Sequence, residues 1–115
     1  MCSKNTLQVL LDETVRGLRD IFGERLDSVI LYGSYARGDY DEESDIDVMA
    51  LVKMNREELT GYRRRVNAFS NQLDLKHDVL LSIRLQDTGT FSQWEDALPF
   101  FKNVKKDGIR IDGAA

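Results

Sequence analysis

Leu7, Leu11, Val15, Leu18 and Phe22 recur at the period of one helical face and predict a helix over residues 5–22. Asn5 or Thr6 is placed to cap its start, and Gly23 to end it. Ser28 to Tyr32 is a short β-rich run that stops at Gly33, and residues 34–38 predict a brief helical turn before an acidic loop through Ser44. Apolar and polar positions then alternate. From Asp45 to Val52, Ile46, Val48, Ala50 and Val52 share one face of a strand, and Asp45, Asp47, Met49 and Leu51 share the other. Leu59, Tyr62, Val66, Phe69 and Leu73 predict a second helix over 56–73. Residues 77–85 split as the earlier strand does, with Val79, Leu81, Ile83 and Leu85 opposite Asp78, Leu80, Ser82 and Arg84. Thr88 or Thr90 can cap a helix through Phe91, Trp94 and Leu98, and Pro99 suits the first turn of another that closes at Lys105, Lys106 and Gly108. Trp94, Phe100 and Phe101 read as core.

Two strands therefore each carry an aliphatic face for helices to cover and a carboxylate-bearing face where chemistry can occur. Met49, Leu51 and Leu80 lie on that second face with no evident covering helix, which implies a partner or self-association, a homo- or hetero-oligomer. The expected fold is one α/β domain over residues 1–115, a mixed β-sheet with helices packed on one face.

Composition narrows the function. A chain that is 42% hydrophobic and 31% charged is globular rather than disordered. Net charge −4 makes nucleic acid an unfavourable partner, because sequence-independent binding uses Lys and Arg to neutralise phosphates. A lone Cys2 forms neither an internal disulfide nor a cysteine-rich zinc site, no segment is apolar enough for a membrane span, and the N-terminus is polar. A cytoplasmic setting without membrane contact is the expectation.

The candidate chemistry lies in "YGSYARGDYDEESDIDVMALV", residues 32–52. Asp45 and Asp47 emerge on one strand face about 6–7 Å apart, and two carboxylates that close repel unless a cation or proton lies between them. Oxygen ligands of this kind suit Mg2+. Asp78, on the equivalent face of another strand, supplies a third carboxylate, enough for two ions engaged in in-line phosphoryl transfer; it can equally be a strand-start acid paired with a lysine. Gly33 permits close backbone approach, and a helical turn from Ser34 aims N–H groups at an anion. Arg37 offers a donor fork for phosphate oxygens, or a surface ion pair. A metal-bound nucleoside triphosphate would satisfy both halves.

Gly33-Ser34, followed after ten residues by Asp45-Ile46-Asp47, resembles the signature of the DNA polymerase β-type nucleotidyltransferase superfamily. With Arg37-Gly38 and Ser44, the string is most similar to its minimal nucleotidyltransferases, small proteins that include antitoxins paired with HEPN-domain toxins. The resemblance extends over nearly the whole chain, including "PFFKNVKKDGIRI". It implies a minimal polymerase β-type nucleotidyltransferase fold, ATP as donor, Mg2+ as cofactor, and transfer of AMP to a tyrosine of a HEPN-type toxin. By position it assigns the triphosphate to Gly33 and Ser34, metal to Asp45 and Asp47, and a third carboxylate and general base to Asp78. Larger relatives carry a second domain for their acceptor. Here 30 residues follow the third strand, so the acceptor is expected on another protein. Two alternatives accompany this reading: a binding module that neutralises its toxin by occlusion, and a transferase acting on small molecules of the aminoglycoside type.

Other features have plainer explanations. Arg63, Arg64 and Arg65 fan around a helix and read as a solvated face. Lys102, Lys105, Lys106 and Arg110 suit a charged helix end, His77 a structural role, and Cys2 a terminal position without function.

Overall fold

Helix α1, Lys4–Phe22, begins where Ser3 Oγ accepts a hydrogen bond from Thr6 N–H at 3.1 Å, so the cap precedes the two expected residues. The computed structural model describes residues 3–41 and 43–112, and Cys2 lies outside them. Of the stripe anticipated for α1, Leu11, Val15, Leu18 and Phe22 are buried and Leu7 is half-buried; they are joined by Leu10 and by Thr14, whose hydroxyl donates to Leu10 O at 2.8 Å. Gly23 ends the helix and opens a 3-10 turn, Gly23–Arg25, that leads into β1, Leu26–Tyr32.

After β1 come α2 (Ser34–Arg37), β2 (Ile46–Val52), α3 (Arg56–Thr60), α4 (Arg63–His77), β3 (Leu81–Asp87), α5 (Thr88–Trp94), α6 (Pro99–Asp107) and β4 (Ile109–Arg110). The sheet order is β3-β2-β1-β4, with β1 antiparallel to β2 and β4, and β2 parallel to β3 across the α3–α4 crossover. This is the mixed sheet expected. Its fourth strand is two residues long, too short to leave an alternation in the sequence.

The helix expected over 56–73 is two helices. Asn55 and Glu58 cap α3 reciprocally, and the chain reorients at Gly61 and Tyr62 before α4. The second helix also runs four residues further than expected, to His77. Its last turn is held to α1: Lys76 Nζ lies 2.9 Å, and His77 Nε2 3.0 Å, from the two oxygens of Glu13. His77 is thus structural, as anticipated, though it ends a helix rather than opening a strand. The N-cap of α5 is Asp87, which accepts from Thr90 N–H at 2.8 Å, not either threonine.

One sheet face carries Val29, Leu31, Ile46, Val48, Ala50, Val52, Leu81 and Leu85 against α1, α3 and α4. The opposite face corrects an expectation. Met49 and Leu51 are buried there under Phe91, Phe101 and Val104 of α5 and α6, so they offer no surface for self-association. Phe101 belongs to that second core, while Trp94 and Phe100, expected inside, remain substantially exposed. Leu80 alone of the apolar trio is open to solvent, at 63%. Arg63, Arg64 and Arg65 are exposed, and Lys105 and Arg110 are occupied by ion pairs to Asp96 and Asp112. No helix among the described residues is long and apolar enough to cross a membrane.

Candidate active site

The strand-to-turn junction is set by backbone geometry. Gly33 has φ 76° and ψ −155°, a region open essentially to glycine alone. Directly after it α2 makes a single turn, closed by Gly38 in the left-handed conformation with its N–H on Ser34 O at 2.9 Å. The amides at the start of such a turn have no partner within it, which is why an anion can be received there.

Strand register brings the carboxylates to this turn. Tyr32 pairs with Asp47, so the first residue after β1 lies beside that side chain. A Cβ on Gly33 would sit 2.5 Å from Asp47 Oδ2. The glycine is therefore required twice, by its torsion angles and by the acid packed against it. Asp45 immediately precedes β2, whose ladder starts where Ile46 N–H donates to Leu80 O at 2.8 Å. Asp45 is exposed and Asp47 half-buried.

Burial raises the pKa of Asp47, the charge of Asp45 raises it further, and Arg37 pulls it down. An anionic pair destabilised in this way fits a hard divalent cation, which reverses both penalties and matches the oxygen donors present. Arg37 lies close enough to act on Asp47 electrostatically and is also ion-paired, Nε to Asp39 Oδ2 at 3.2 Å, with both partners exposed. Both readings of this arginine are thus compatible. Stacked rings of Tyr35 and Tyr40, 4.1 Å apart, brace α2 against the loop that follows. That loop turns at Asp41, whose Oδ1 accepts from Glu43 N–H at 2.9 Å and whose N–H donates to Ser44 Oγ at 3.0 Å.

Asp78 does not join the pair as expected. It is the C-cap of α4, in the left-handed conformation with φ 53° and ψ 53°, and β3 begins three residues later at Leu81. The β3 residues that share the Asp47 face are Ser82, level with Asp47, Arg84, level with Met49, and Gln86, level with Leu51. Among the described residues no group of three His, Cys, Asp or Glu side chains is arranged to hold a metal ion. The physical reason is the longer helix: its anchorage to Glu13 carries the chain past His77 before any strand can form. Replacing Asp78 by Gly should relieve the left-handed backbone and raise stability by about 0.5 kcal/mol. Asp78→Asn should leave the chemistry of the acidic pair intact; loss of that activity in the variant would return Asp78 to the site.

Residues that sequence reasoning missed complete the surroundings. A cavity of about 180 Å3 adjoins the turn, lined by Tyr32, Gly33, Arg37, Phe100, Asn103 and Asp107 among others. Tyr32 and Phe100 meet edge to face at 5.6 Å. Burial raises the pKa of the Tyr32 hydroxyl, and Asp47 adds to the effect against Arg84. Tyr32 was recoverable from its place immediately before the Gly-Ser pair. The α6 residues were not, because only the packing of α6 across the sheet brings them there.

The sequence profile of the nucleotidyltransferase domain family matches residues 11–111. A Methanocaldococcus jannaschii protein named "putative protein adenylyltransferase" is 41% identical over 73 residues, covering 64% of this chain and 72% of that protein. A second protein of that organism with the same designation is 30% identical over 101 residues, 85% of this chain and 90% of its own length. The crystal structure of a toxin-antitoxin with AMP-PNP has the same fold, with a TM-score of 0.57 at 19% identity over 88% of this chain and 71% of that chain.

Proposed function

Since the chain belongs to the nucleotidyltransferase domain family, we propose that it transfers AMP from ATP, with Mg2+, to a tyrosine of a HEPN-type toxin and so acts as its antitoxin. The observation that carries this reading is the contact of Asp47 with Gly33, which couples the anion-receiving turn to the acidic pair. The relatives named as protein adenylyltransferases favour a protein acceptor. The neighbour with AMP-PNP favours an adenine nucleotide as donor, and its assembly favours a toxin as partner.

In this scheme the first-turn amides and hydroxyl of Ser34 receive the triphosphate beside Gly33, and Arg37 orients its oxygens. Asp45 and Asp47 hold the ion, within the one or two carboxylates that Mg2+ commonly takes besides phosphate oxygens. Bound Mg2+ supplies charge neutralisation on the triphosphate and on the departing pyrophosphate. The acceptor hydroxyl attacks the α-phosphorus in line, forming the new P–O bond as the bond to pyrophosphate breaks and its own proton passes to water. Tyr32 and Phe100 line the cavity that adjoins the turn.

The test is incubation of the chain with α-labelled ATP, MgCl2 and the toxin encoded beside it. Label should appear on the toxin and fall by about 10²–10³-fold with Asp45→Asn or Asp47→Asn. Transfer that survives both changes overturns the assignment. Full neutralisation of the toxin by the double variant, without label, would establish occlusion instead.

A further inference from the structure

A second concavity, separate from the acidic pair, has no role in this scheme. It is a groove of about 430 Å3 beside β3, the outermost strand, lined by Arg56, Arg63, Arg84, Asp87, Trp94 and Leu98 among others. Three arginines and one carboxylate, Asp87, line it, and that carboxylate is already engaged by Thr90 N–H at 2.8 Å and by Gln86 Nε2 at 3.2 Å. None of the three arginines forms an ion pair among the described residues. Arg84 instead lies 4.6 Å over the Phe100 ring. In a chain of net charge −4, such a cluster is unusual unless something acidic comes to it. Trp94 and Leu98 add apolar surface, 42% and 43% exposed.

The start of the outer edge of β3 is satisfied from within the chain. Because Ile46 N–H bonds Leu80 O, even-numbered residues of β3 turn their main chain toward β2 and odd-numbered residues turn theirs outward. The outward groups of Leu81 are taken, its N–H by Asp74 at 2.8 Å and its carbonyl by Ser70 at 2.8 Å. Leu85, next but one along the same edge, lines the groove.

We propose that this groove docks an extended acidic segment of the protein that receives the nucleotide. Its carboxylates meet the guanidinium forks, and its apolar side chains rest on Trp94 and Leu98. The identity of the occupant rests on the protein-adenylyltransferase reading; the groove and its charge do not. Arg84 pairs with Met49, two residues beyond Asp47 along β2, a step of about 7 Å. A segment held there therefore reaches the acidic pair. Nucleic acid fits less well, because three arginines in an acidic chain make no continuous track for a phosphate backbone.

Trp94 is the single tryptophan of the sequence, so its emission reports on this groove. The full chain is titrated with a short synthetic Glu/Tyr peptide, with its Lys/Tyr counterpart, and with single-stranded oligouridylate. The acidic peptide should change Trp94 emission saturably, and the lysine peptide should not. Arg56→Glu/Arg63→Glu should weaken the response about tenfold or more, while calorimetry shows Mg-ATP binding unchanged and circular dichroism shows the fold retained. No response to the acidic peptide, an equal response to the lysine peptide, indifference to the charge reversal, or tighter binding of oligouridylate would each overturn the proposal. Docking is scored here without turnover, so its failure is distinct from absence of label on the toxin.

Discussion

Gly33→Ala should lower the melting temperature by about 5–15 °C and reduce nucleotidyl transfer by about 10²-fold. Two penalties add at this position. The backbone angles of Gly33 lie where an L side chain is strained, a cost of about 1–3 kcal/mol. The new methyl group would also press on Asp47 Oδ2, forcing the carboxylate or the turn to move. A mutant cycle separates the two effects. In an Asp47→Ala background the contact is gone and the backbone strain remains, so Gly33→Ala should cost less there. Thermal melts of the four proteins and label transfer by the wild type and Gly33→Ala are the measurements. An equal cost in both backgrounds would mean that Asp47 does not rest on the glycine, and the coupling of turn to acids would be lost.

Phe101→Ala should destabilise the protein by about 3–5 kcal/mol, a large share of the ~5–15 kcal/mol that holds a domain together. Phe101 is buried at the centre of the second cluster, with the Phe91 ring 5.2 Å away and Met49 and Leu51 beneath. Truncation leaves a void between α6 and the sheet, and α6 also supplies Phe100 and Asn103 to the cavity beside Gly33. Transfer should therefore weaken together with stability. Urea unfolding measures the first effect, and Phe101→Leu, which refills most of the space, should recover much of it. A midpoint for Phe101→Ala close to wild type would show that α6 does not cover this face.

Neither of these expectations could be written from residue spacing alone. The turn at Gly33 and the same-face placement of Asp45 and Asp47 were legible, because strand alternation and glycine punctuation are local properties. The contact between Gly33 and Asp47 was not, since it depends on Tyr32 pairing with Asp47 rather than with a neighbour. Met49 and Leu51 illustrate the same division. Their shared face was evident, but the helix that buries them arrives from some fifty residues further along, carried by the pairing of β4 with β1.

Asp78 marks where local pattern misled. Its run of alternating aliphatic residues reads as strand from His77 onward, yet the helix continues through His77. Glu13, 64 residues away from His77 in sequence, holds the last turn through an ion pair with Lys76 and a hydrogen bond with His77, and long-range anchorage outweighs a weak local preference. The arginine groove was hidden for a related reason: Arg56, Arg63 and Arg84 come from three different elements, and only the fold gathers them.

The sequence by itself determined the helical stripe of α1, the glycine turn, and the pair of acids on one strand face, because side-chain direction repeats with fixed periods along a continuous backbone. The tertiary structure alone decided what stands opposite those residues: Asp47 over Gly33, α6 across Met49, and Asp78 capping a helix. Such choices are settled by competition among distant segments for the same hydrogen bonds and the same apolar surface, and no single stretch of chain carries both competitors.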